Sequence, residues 1–349
     1  MKKRSAFLLT LLLGLVLLLW QGRELQSTLQ QALQLCGSVL IPALFPYLVL
    51  SRLFVSFADE LPEWICRPLK RVFGLSKAGC SAVLIGAIGG YPSGASAVAN
   101  LYQCGKINRT EAERLLAFAC NCGPAFCCSV IGIGIYGSLG LGLCLYGIML
   151  VSSFLCGLLT QRKQNVVPAN DVQNINTQPF MTEFVSAVTK SAESMLHICG
   201  FVCLFSLLIG IERKFISNIL YYAIMAGVTE LSSGVFPIAT VNIPWTVKFS
   251  LIAFVTAFGG ACVVMQTGAL LQPAHLSIKP YLRGKLLQGL LAGILAVPAS
   301  MLFQGARKVA LFPTKIVPIS PWPWFFLSIL LTLLIFLKIP TGKNGAHPL

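Results

Sequence analysis

The sequence predicts an all-α fold, a polytopic transmembrane helical bundle of about eight to ten spans. Hydrophobic residues make up 56% of the chain and charged residues 11%, whereas soluble domains carry about 25% charged residues. No Asp, Glu, Lys or Arg occurs between Arg114 and Arg162, a length that accommodates two crossings of about 20 residues each. The apolar runs are continuous rather than alternating, so they also exclude a membrane β-barrel.

The predicted spans follow the uncharged runs in chain order. They lie at residues 5–21, 33–55, 78–100, 115–136, 138–160, 184–210, 217–240, 248–270, 286–305 and 320–338. The runs at 78–100 and 217–240 contain Gly, Pro, Ser or an acid where a regular helix should continue. Each of these two either crosses the membrane as a broken helix or re-enters it, and the sequence leaves both alternatives open.

The ends and loops of the chain are basic. Met1-Lys-Lys-Arg4 precedes an apolar segment without a small-x-small cleavage site, which we interpret as an uncleaved signal-anchor span with its N-terminus in the cytoplasm. The net charge of +15 lies almost entirely between the apolar runs, as in Arg67–Lys77 and Lys279–Lys285. Such residues are typical of loops that face the cytoplasm and anionic headgroups. We therefore expect a multi-pass cell-membrane protein with membrane lipids, and no nucleic acid, as partners.

The residue types of an active site or a metal site are poorly represented. Thirteen cysteines lie mostly inside apolar runs, where cysteine packs as a small hydrophobe. Cys120, Cys122, Cys127 and Cys128 cluster, but no second half of a zinc motif accompanies them. The three histidines form no catalytic pattern, and there is no nucleotide-binding loop or serine triad. We expect no enzyme, no catalytic residues, no metal and no cofactor.

Three pairs of short segments occur in the same order in the two halves of the chain. The pairs are Leu35-Cys-Gly-Ser-Val39 with Ile198-Cys-Gly-Phe-Val202, Gly86–Gly94 with Ala226–Gly234, and Asn121-Cys-Gly-Pro-Ala125 with Phe258-Gly-Gly-Ala-Cys262. Internal repeats with interrupted helices at corresponding positions point to the binding site of a transporter. The predicted divisions are a signal-anchor span, a first repeat, a polar linker, a second repeat and a C-terminal span with its tail, at residues 1–24, 25–160, 161–183, 184–305 and 306–349. Whether the repeats are parallel or inverted stays open.

The strongest candidate for a binding site is Gly89-Gly90-Tyr91-Pro92-Ser93-Gly94. Proline removes a backbone donor and the glycines relax the chain, so the helix should break there. A half-helix that begins near Ser93 would turn its amides and positive end toward a cavity, which suits an anionic ligand. The alternative is a proline kink that only eases helix packing.

Two further segments also combine a predicted helix break with polar side chains. Gly123 and Pro124 should break a helix directly after Asn121, whose amide supplies both donors and an acceptor; a helix-to-helix hydrogen bond is the alternative role for Asn121. In the second half, Glu230 precedes Ser233 and Gly234 inside an otherwise uncharged run.

A carboxylate at membrane depth usually faces a cavity or a partner. Glu230 is therefore the candidate for binding a coupling cation, carrying a proton or fixing the opposite repeat, unless it lies at the membrane interface. Ser233 and Gly234 are added to the substrate-binding set, and Gln266 is a weaker cavity candidate. Lys190, Glu193 and His197 share one helix face, where they form either a proton relay or a packed cluster.

The segments Gly89–Ala95 and Asn121–Phe126, followed by Phe258–Cys262 and Gln266, resemble the family of the sporulation integral membrane protein YlbJ, within a wider group that carries a nucleoside-recognition gate domain. The resemblance implies two gate-like repeats and an endospore-forming bacterium. It also implies movement of dipicolinic acid across the outer forespore membrane. The site residues that it supports directly are Gly89, Gly90, Tyr91, Pro92, Ser93, Gly94, Asn121, Gly123 and Pro124. Glu230 and Ser233 correspond only through the internal repeat, and Val264 stands where the family has a more polar residue.

The expected function is transport of a small-molecule anion, a flat aromatic dianion, by alternating access. A nucleoside or metal-ion permease of the same group is the first alternative. The second is a membrane scaffold of sporulation that does not transport. A homo-oligomer or other sporulation membrane proteins are the expected protein partners.

Overall fold

The computed structural model describes residues 22–56, 62–160, 180–213 and 215–303, together with Leu8, Leu9, Leu12 and Val16. All regular secondary structure in these ranges is helical, which confirms the predicted fold class. The predicted span 320–338 lies outside the described residues, and so does most of the predicted span 5–21. The polar linker at 161–183 is described only from residue 180 onward.

Fourteen helices are numbered here in chain order. They are α1 (Gly22–Leu35), α2 (Ile41–Ser56), α3 (Glu63–Phe73), α4 (Lys77–Gly89), α5 (Ser93–Gln103), α6 (Arg109–Phe118), α7 (Ala125–Ile135), α8 (Leu139–Leu159), α9 (Phe180–Glu212), α10 (Ile219–Thr229), α11 (Leu231–Thr240), α12 (Trp245–Phe258), α13 (Gly260–Leu271) and α14 (Lys279–Leu302). A π-helical turn, Cys36–Leu40, joins α1 to α2, and α7 also has π geometry.

Five stretches among the described residues are long and apolar enough to cross a membrane. They are Gln26–Leu50, Leu139–Leu159, Phe180–Glu212, Trp245–Leu271 and Lys279–Leu302. A sixth crossing is possible where α3 and α4 meet at an angle of 98°. The other predicted spans within the described ranges consist of shorter helices, so the bundle combines full crossings with half-helices.

Polar side chains set where several of the short helices begin. Ser76, Asn108 and Ser138 each accept a hydrogen bond from the backbone amide three residues later. Glu230 does the same for α11, where its carboxylate accepts from two amides. These bonds satisfy amides that the first turn of a helix would otherwise leave without a partner. The interruptions in the bundle are therefore encoded locally.

The helix breaks occur where the repeated segments were found in the sequence. Gly90 separates α4 from α5, and residues 119–124 separate α6 from α7. In the second half Glu230 separates α10 from α11, and Gly259 separates α12 from α13. Gly90 and Gly259 have φ angles of 71° and 83°, which glycine adopts at no steric cost.

Helix α14 is the packing centre of the bundle and lies against α12, α8 and α6. A Cβ atom on Gly284 would overlap the backbone carbonyl of Ala117, so this glycine permits the close approach of α14 to α6. Leu286, Leu290 and Ile294 stay exposed on the outer face of α14. Apolar side chains on that face suit contact with lipid acyl chains.

The prediction of a solvated basic loop at Lys279–Lys285 is wrong at its C-terminal end. Helix α14 begins at Lys279, and Lys285 is fully buried although Arg283 remains exposed. The predicted span that starts at 286 therefore starts about two turns too late. The reason is the small Gly284, which brings the helix close to α6 and carries the neighbouring lysine into the interior.

The thirteen cysteines are all free thiols, and most of them are buried. Cys120, Cys122, Cys127 and Cys128 lie in the interior as small side chains. Cys36 contacts Cys199 and Cys203, so the π-helical turn with the first repeated segment packs against α9, which contains the matching segment. Cys104, at the end of α5, is exposed.

Candidate functional site

A cavity of about 90 Å³ lies where the four helix breaks meet. Its wall includes five residues that the sequence analysis selected, together with Gln266: Gly89, Gly90, Tyr91, Gly123 and Glu230. Helices α2 and α9 close the opposite side with Leu48 and Ile198. The candidate motifs, which are distant in sequence, are therefore neighbours in the fold.

The breaks contact each other in the same pairing in both halves of the chain. A Cβ atom on Gly90 would lie 3.0 Å from the amide nitrogen of Gly123, so the first break contacts the second. A Cβ atom on Gly260 would lie 3.3 Å from the Cα atom of Glu230, so the third break contacts the fourth. Side chains would separate these backbones, which explains the glycines.

Tyr91 connects the first break to the last. Its hydroxyl donates to the carbonyl oxygen of Ala257 at 2.7 Å, and it accepts from the ammonium of Lys285 at 3.2 Å. The same ammonium lies 4.9 Å from the centroid of the Tyr91 ring, within cation–π range. The ring lines the cavity while its hydroxyl is held in place by the protein.

Lys285 is a buried cation that binds oxygen atoms from three sides. Its ammonium donates to the carbonyl oxygens of Cys120 and Ala257, and to the side-chain oxygen of Gln288 at 2.5 Å. Both carbonyls follow or end a helix whose C-terminus carries partial negative charge, which favours a cation there. Within the described ranges, no carboxylate forms an ion pair with this lysine. Helix ends and neutral oxygens therefore offset its charge.

Asn121 belongs to the same buried network. Its side-chain oxygen accepts from Gln288 at 2.7 Å, and its amide donates to Ser153 at 3.1 Å and to the carbonyl oxygen of Phe118 at 3.2 Å. Gln288 also donates to the carbonyl oxygen of Met149 at 3.2 Å. The network joins α14, α8 and the break after α6, so Asn121 forms the helix-to-helix contacts that were its alternative role.

Glu230 lies in the interior of the protein, since only 3% of it is exposed. One carboxylate oxygen accepts from the amide of Ser232 at 2.9 Å and the other from the amide of Ser233 at 2.6 Å. The positive end of α11 thus already binds an anion, namely this side chain. The coupling role of Glu230 stays a prediction.

The comparison with known proteins gives one relative. The chain is 25% identical over 305 residues to the sporulation integral membrane protein YlbJ of Bacillus subtilis (strain 168), covering 75% of this chain and 74% of the relative. The resemblance to YlbJ is confirmed. No family model matches the chain and no solved structure does, so the link to the gate-domain group stays a prediction. With its apolar helices, the likeness to YlbJ makes this chain a multi-pass integral membrane protein.

The remaining predicted site residues lie around the cavity of this YlbJ-like bundle without lining it. Gly94 is buried against the Ala119 carbonyl, and Pro124 precedes α7. The hydroxyl of Ser233 lies 3.0 Å from that of Ser206 on α9, and Gly234 contacts the backbone of α10. These residues fix the half-helices, and direct contact with a ligand stays a prediction for them.

A second and larger cavity lies beside the first. This second cavity, the vestibule, has a volume of about 540 Å³ and lies between α9, α5, α2 and α13. Pro92 and Ser93 of the first motif line it, as does His197. Leu48, Ile198 and Gln266 line both cavities, so they form the wall between them.

Sequence reasoning missed the two polar residues at the centre of the network and the arginine of the vestibule. Lys285 and Gln288 are three residues apart and hence share a helix face, but the lysine was assigned to a loop. Arg52 follows an uncharged run and resembles a flanking charge. The available signal was an ionisable residue within one turn of a long apolar run, which favours a functional role when the helix continues past it.

Proposed function

We propose that this chain is a sporulation membrane transporter that moves a small organic dianion, dipicolinate, across the outer forespore membrane by alternating access. The observation that carries the proposal is the meeting of four helix breaks around a cavity inside the bundle. Secondary transporters build their sites from such interrupted helices near the membrane midplane. The relative YlbJ supports the link to sporulation through its name.

The size of the cavity supports a gated cycle. At about 90 Å³ it is smaller than the roughly 300–1,000 Å³ of typical small-ligand sites. A ligand of dipicolinate size therefore enters only when the wall of Leu48, Ile198 and Gln266 moves away. That wall separates the cavity from the vestibule, so its opening and closing is the step that exposes the site to one side.

The chemistry around the cavity suits a flat aromatic anion. Tyr91 presents its ring to the cavity, and aromatic rings stack in offset arrangements. Lys285 supplies a positive charge beside that ring, while the two amides at the start of α11 partly offset the negative charge of Glu230. Among the described residues, the amide of Gln266 donates to the sulfur of Cys262 at 3.4 Å, a weak acceptor that a carboxylate would replace.

Uptake of labelled dipicolinate into proteoliposomes tests the proposal. We expect uptake that unlabelled nucleosides do not reduce, and a fall of about tenfold in Gln266→Leu because one hydrogen bond to a charged group is lost. Gln272→Leu, at an exposed position just beyond α13, is the matched control and should transport normally. Competition by nucleosides would support a nucleoside permease, and the absence of uptake by folded protein would support the scaffold function.

Exchange of Glu230→Gln tests the coupling role. The side chain keeps its shape, but it loses its charge and places an amino group against one of the two backbone amides. We expect transport to fall by at least about tenfold while membrane insertion and the elution profile of the purified protein stay normal. Glu63→Gln, on an exposed carboxylate, should leave uptake unchanged. Wild-type flux in the Glu230 variant would rule out coupling through this carboxylate.

A further inference from the structure

The vestibule has the size and position of a ligand site in its own right. Its volume of about 540 Å³ falls within the roughly 300–1,000 Å³ of small-molecule pockets. Four helices enclose it, and it shares a wall with the central cavity. Only the wall of Leu48, Ile198 and Gln266 therefore separates a molecule in the vestibule from the central cavity.

Arg52 is the side chain in the vestibule whose contacts best indicate a ligand site. It is the one charged residue of α2, in an otherwise apolar helix. Its Nη2 atom donates to the hydroxyl of Ser194 at 2.5 Å, but its Nε atom is buried and has no hydrogen-bond partner. A buried donor without a partner is uncommon in folded proteins. Arg52 also lines the vestibule, so an anion bound there would interact with its guanidinium group.

The charges around Arg52 favour an anion as that acceptor. Lys190 lines the same vestibule from α9, and Glu183 is the carboxylate that lines it there. Glu193 is close enough to interact electrostatically with Arg52, but it is exposed and does not line the vestibule. His197 adds an imidazole ring to the same wall. Among the described residues, the wall therefore contains two permanent cations, Arg52 and Lys190, and one carboxylate, Glu183.

The rest of the vestibule determines which anions fit. Phe201, Ile198 and Leu48 form an apolar wall, and Ser93 with Ser96 lies on the facing helix α5. The guanidinium group binds carboxylates through two parallel N–H donors. A small organic carboxylate therefore has a place for its charged end at Arg52 and for its apolar body along Phe201.

We propose that the vestibule is a second binding site, selective for small organic carboxylates, in which Arg52 binds the carboxylate and Lys190 a second negative group. The proposal deepens the proposed function and rests on it only for the step in which the bound anion passes the wall to the central cavity. Binding itself is independent of transport.

Binding to the full-length protein in detergent tests this site without a membrane. The probes are isophthalate, a flat dicarboxylate, and benzoate, its monocarboxylate counterpart, measured by calorimetry. We expect Arg52→Gln to weaken the binding of both probes by about tenfold or more. Arg283→Gln, which removes an exposed arginine from α14, is the matched control and should bind as the wild type does.

A second variant keeps the test decisive if the first does not fold. Lys190→Gln changes an exposed side chain and should reduce the preference for isophthalate over benzoate by several-fold, because only the second negative group loses its partner. Wild-type affinity in Arg52→Gln, or an unchanged preference in Lys190→Gln, would overturn the proposal. Arg52-dependent binding without uptake would contradict only the transport function, and uptake without Arg52-dependent binding would contradict only the vestibule site.

Discussion

Replacing Lys285 by Met is expected to destabilise the protein by at least about 1–3 kcal/mol, because buried acceptors lose their hydrogen-bond donor. The ammonium donates to the carbonyl oxygens of Cys120 and Ala257 and to the side chain of Gln288. Methionine fills the space but donates nothing. Each buried acceptor left without a donor costs roughly 1–3 kcal/mol.

The desolvation free energy of a buried charge sometimes exceeds the free energy that its contacts contribute. Replacing the charged residue by an apolar one then stabilises the protein. Lys285 differs because its acceptors include two backbone carbonyls that stay in the interior after the exchange. The same exchange removes the donor to the Tyr91 hydroxyl and leaves only the bond from that hydroxyl to the Ala257 carbonyl, so the wall of the central cavity should loosen. We therefore expect transport and stability to be lost together.

Thermal unfolding of the purified protein in detergent measures this effect. Lys279→Met is the matched control because it removes an exposed lysine from the first turn of the same helix, and it should leave the melting temperature nearly unchanged. An equal or higher melting temperature in Lys285→Met would show that desolvation outweighs the hydrogen bonds of the ammonium.

Exchange of Gly234→Ala is expected to separate α11 from α10 and to abolish transport. A Cβ atom at this position would overlap the Cα and amide nitrogen of Gly227. Backbone atoms cannot move aside as a side chain can, so the cost should reach or exceed the ~1–3 kcal/mol typical of overpacking. Glu230 begins α11, so the shift would also displace its carboxylate from the cavity.

The control exchange for Gly234→Ala is expected to change the melting temperature in the opposite direction. Gly147 lies inside α8, and a Cβ atom there meets nothing within 4 Å. Alanine is favoured over glycine in a helix by about 1 kcal/mol, so Gly147→Ala should raise the melting temperature slightly while Gly234→Ala lowers it. Equal shifts in the two variants would show that the contact between α10 and α11 tolerates a methyl group.

The positions of the helix breaks could be predicted from the sequence because they depend on local chemistry. Glycines and a proline interrupt α4 and α5 around Gly90, and Gly259 does so for α12 and α13. The break at Glu230 was indicated by the internal repeat, and the structure shows that its carboxylate accepts hydrogen bonds from the amides of Ser232 and Ser233 at the start of α11. The repeat suggested that these breaks lie close together. The contacts between them are seen only in the structure.

The partners of the buried polar groups could not be predicted in this way. Whether Lys285 faces solvent or the interior depends on how closely α14 approaches α6, which is a property of tertiary packing. Arg52 lies inside the predicted span 33–55, but whether its side chain faces a cavity also depends on tertiary packing. Asn121 was identified as a candidate, but its contacts with Gln288 and Ser153 join helices distant in sequence.

The exposed thiol at the end of α5 has a practical consequence for orientation. Cys104 is exposed, while the other twelve cysteines are buried or half-buried. A maleimide that cannot cross lipid will therefore react first at Cys104, and only from the side on which this turn emerges. Labelling intact cells and inverted vesicles in parallel assigns that side of the membrane without any engineered cysteine. The result also establishes the membrane topology of the helices on either side of this turn.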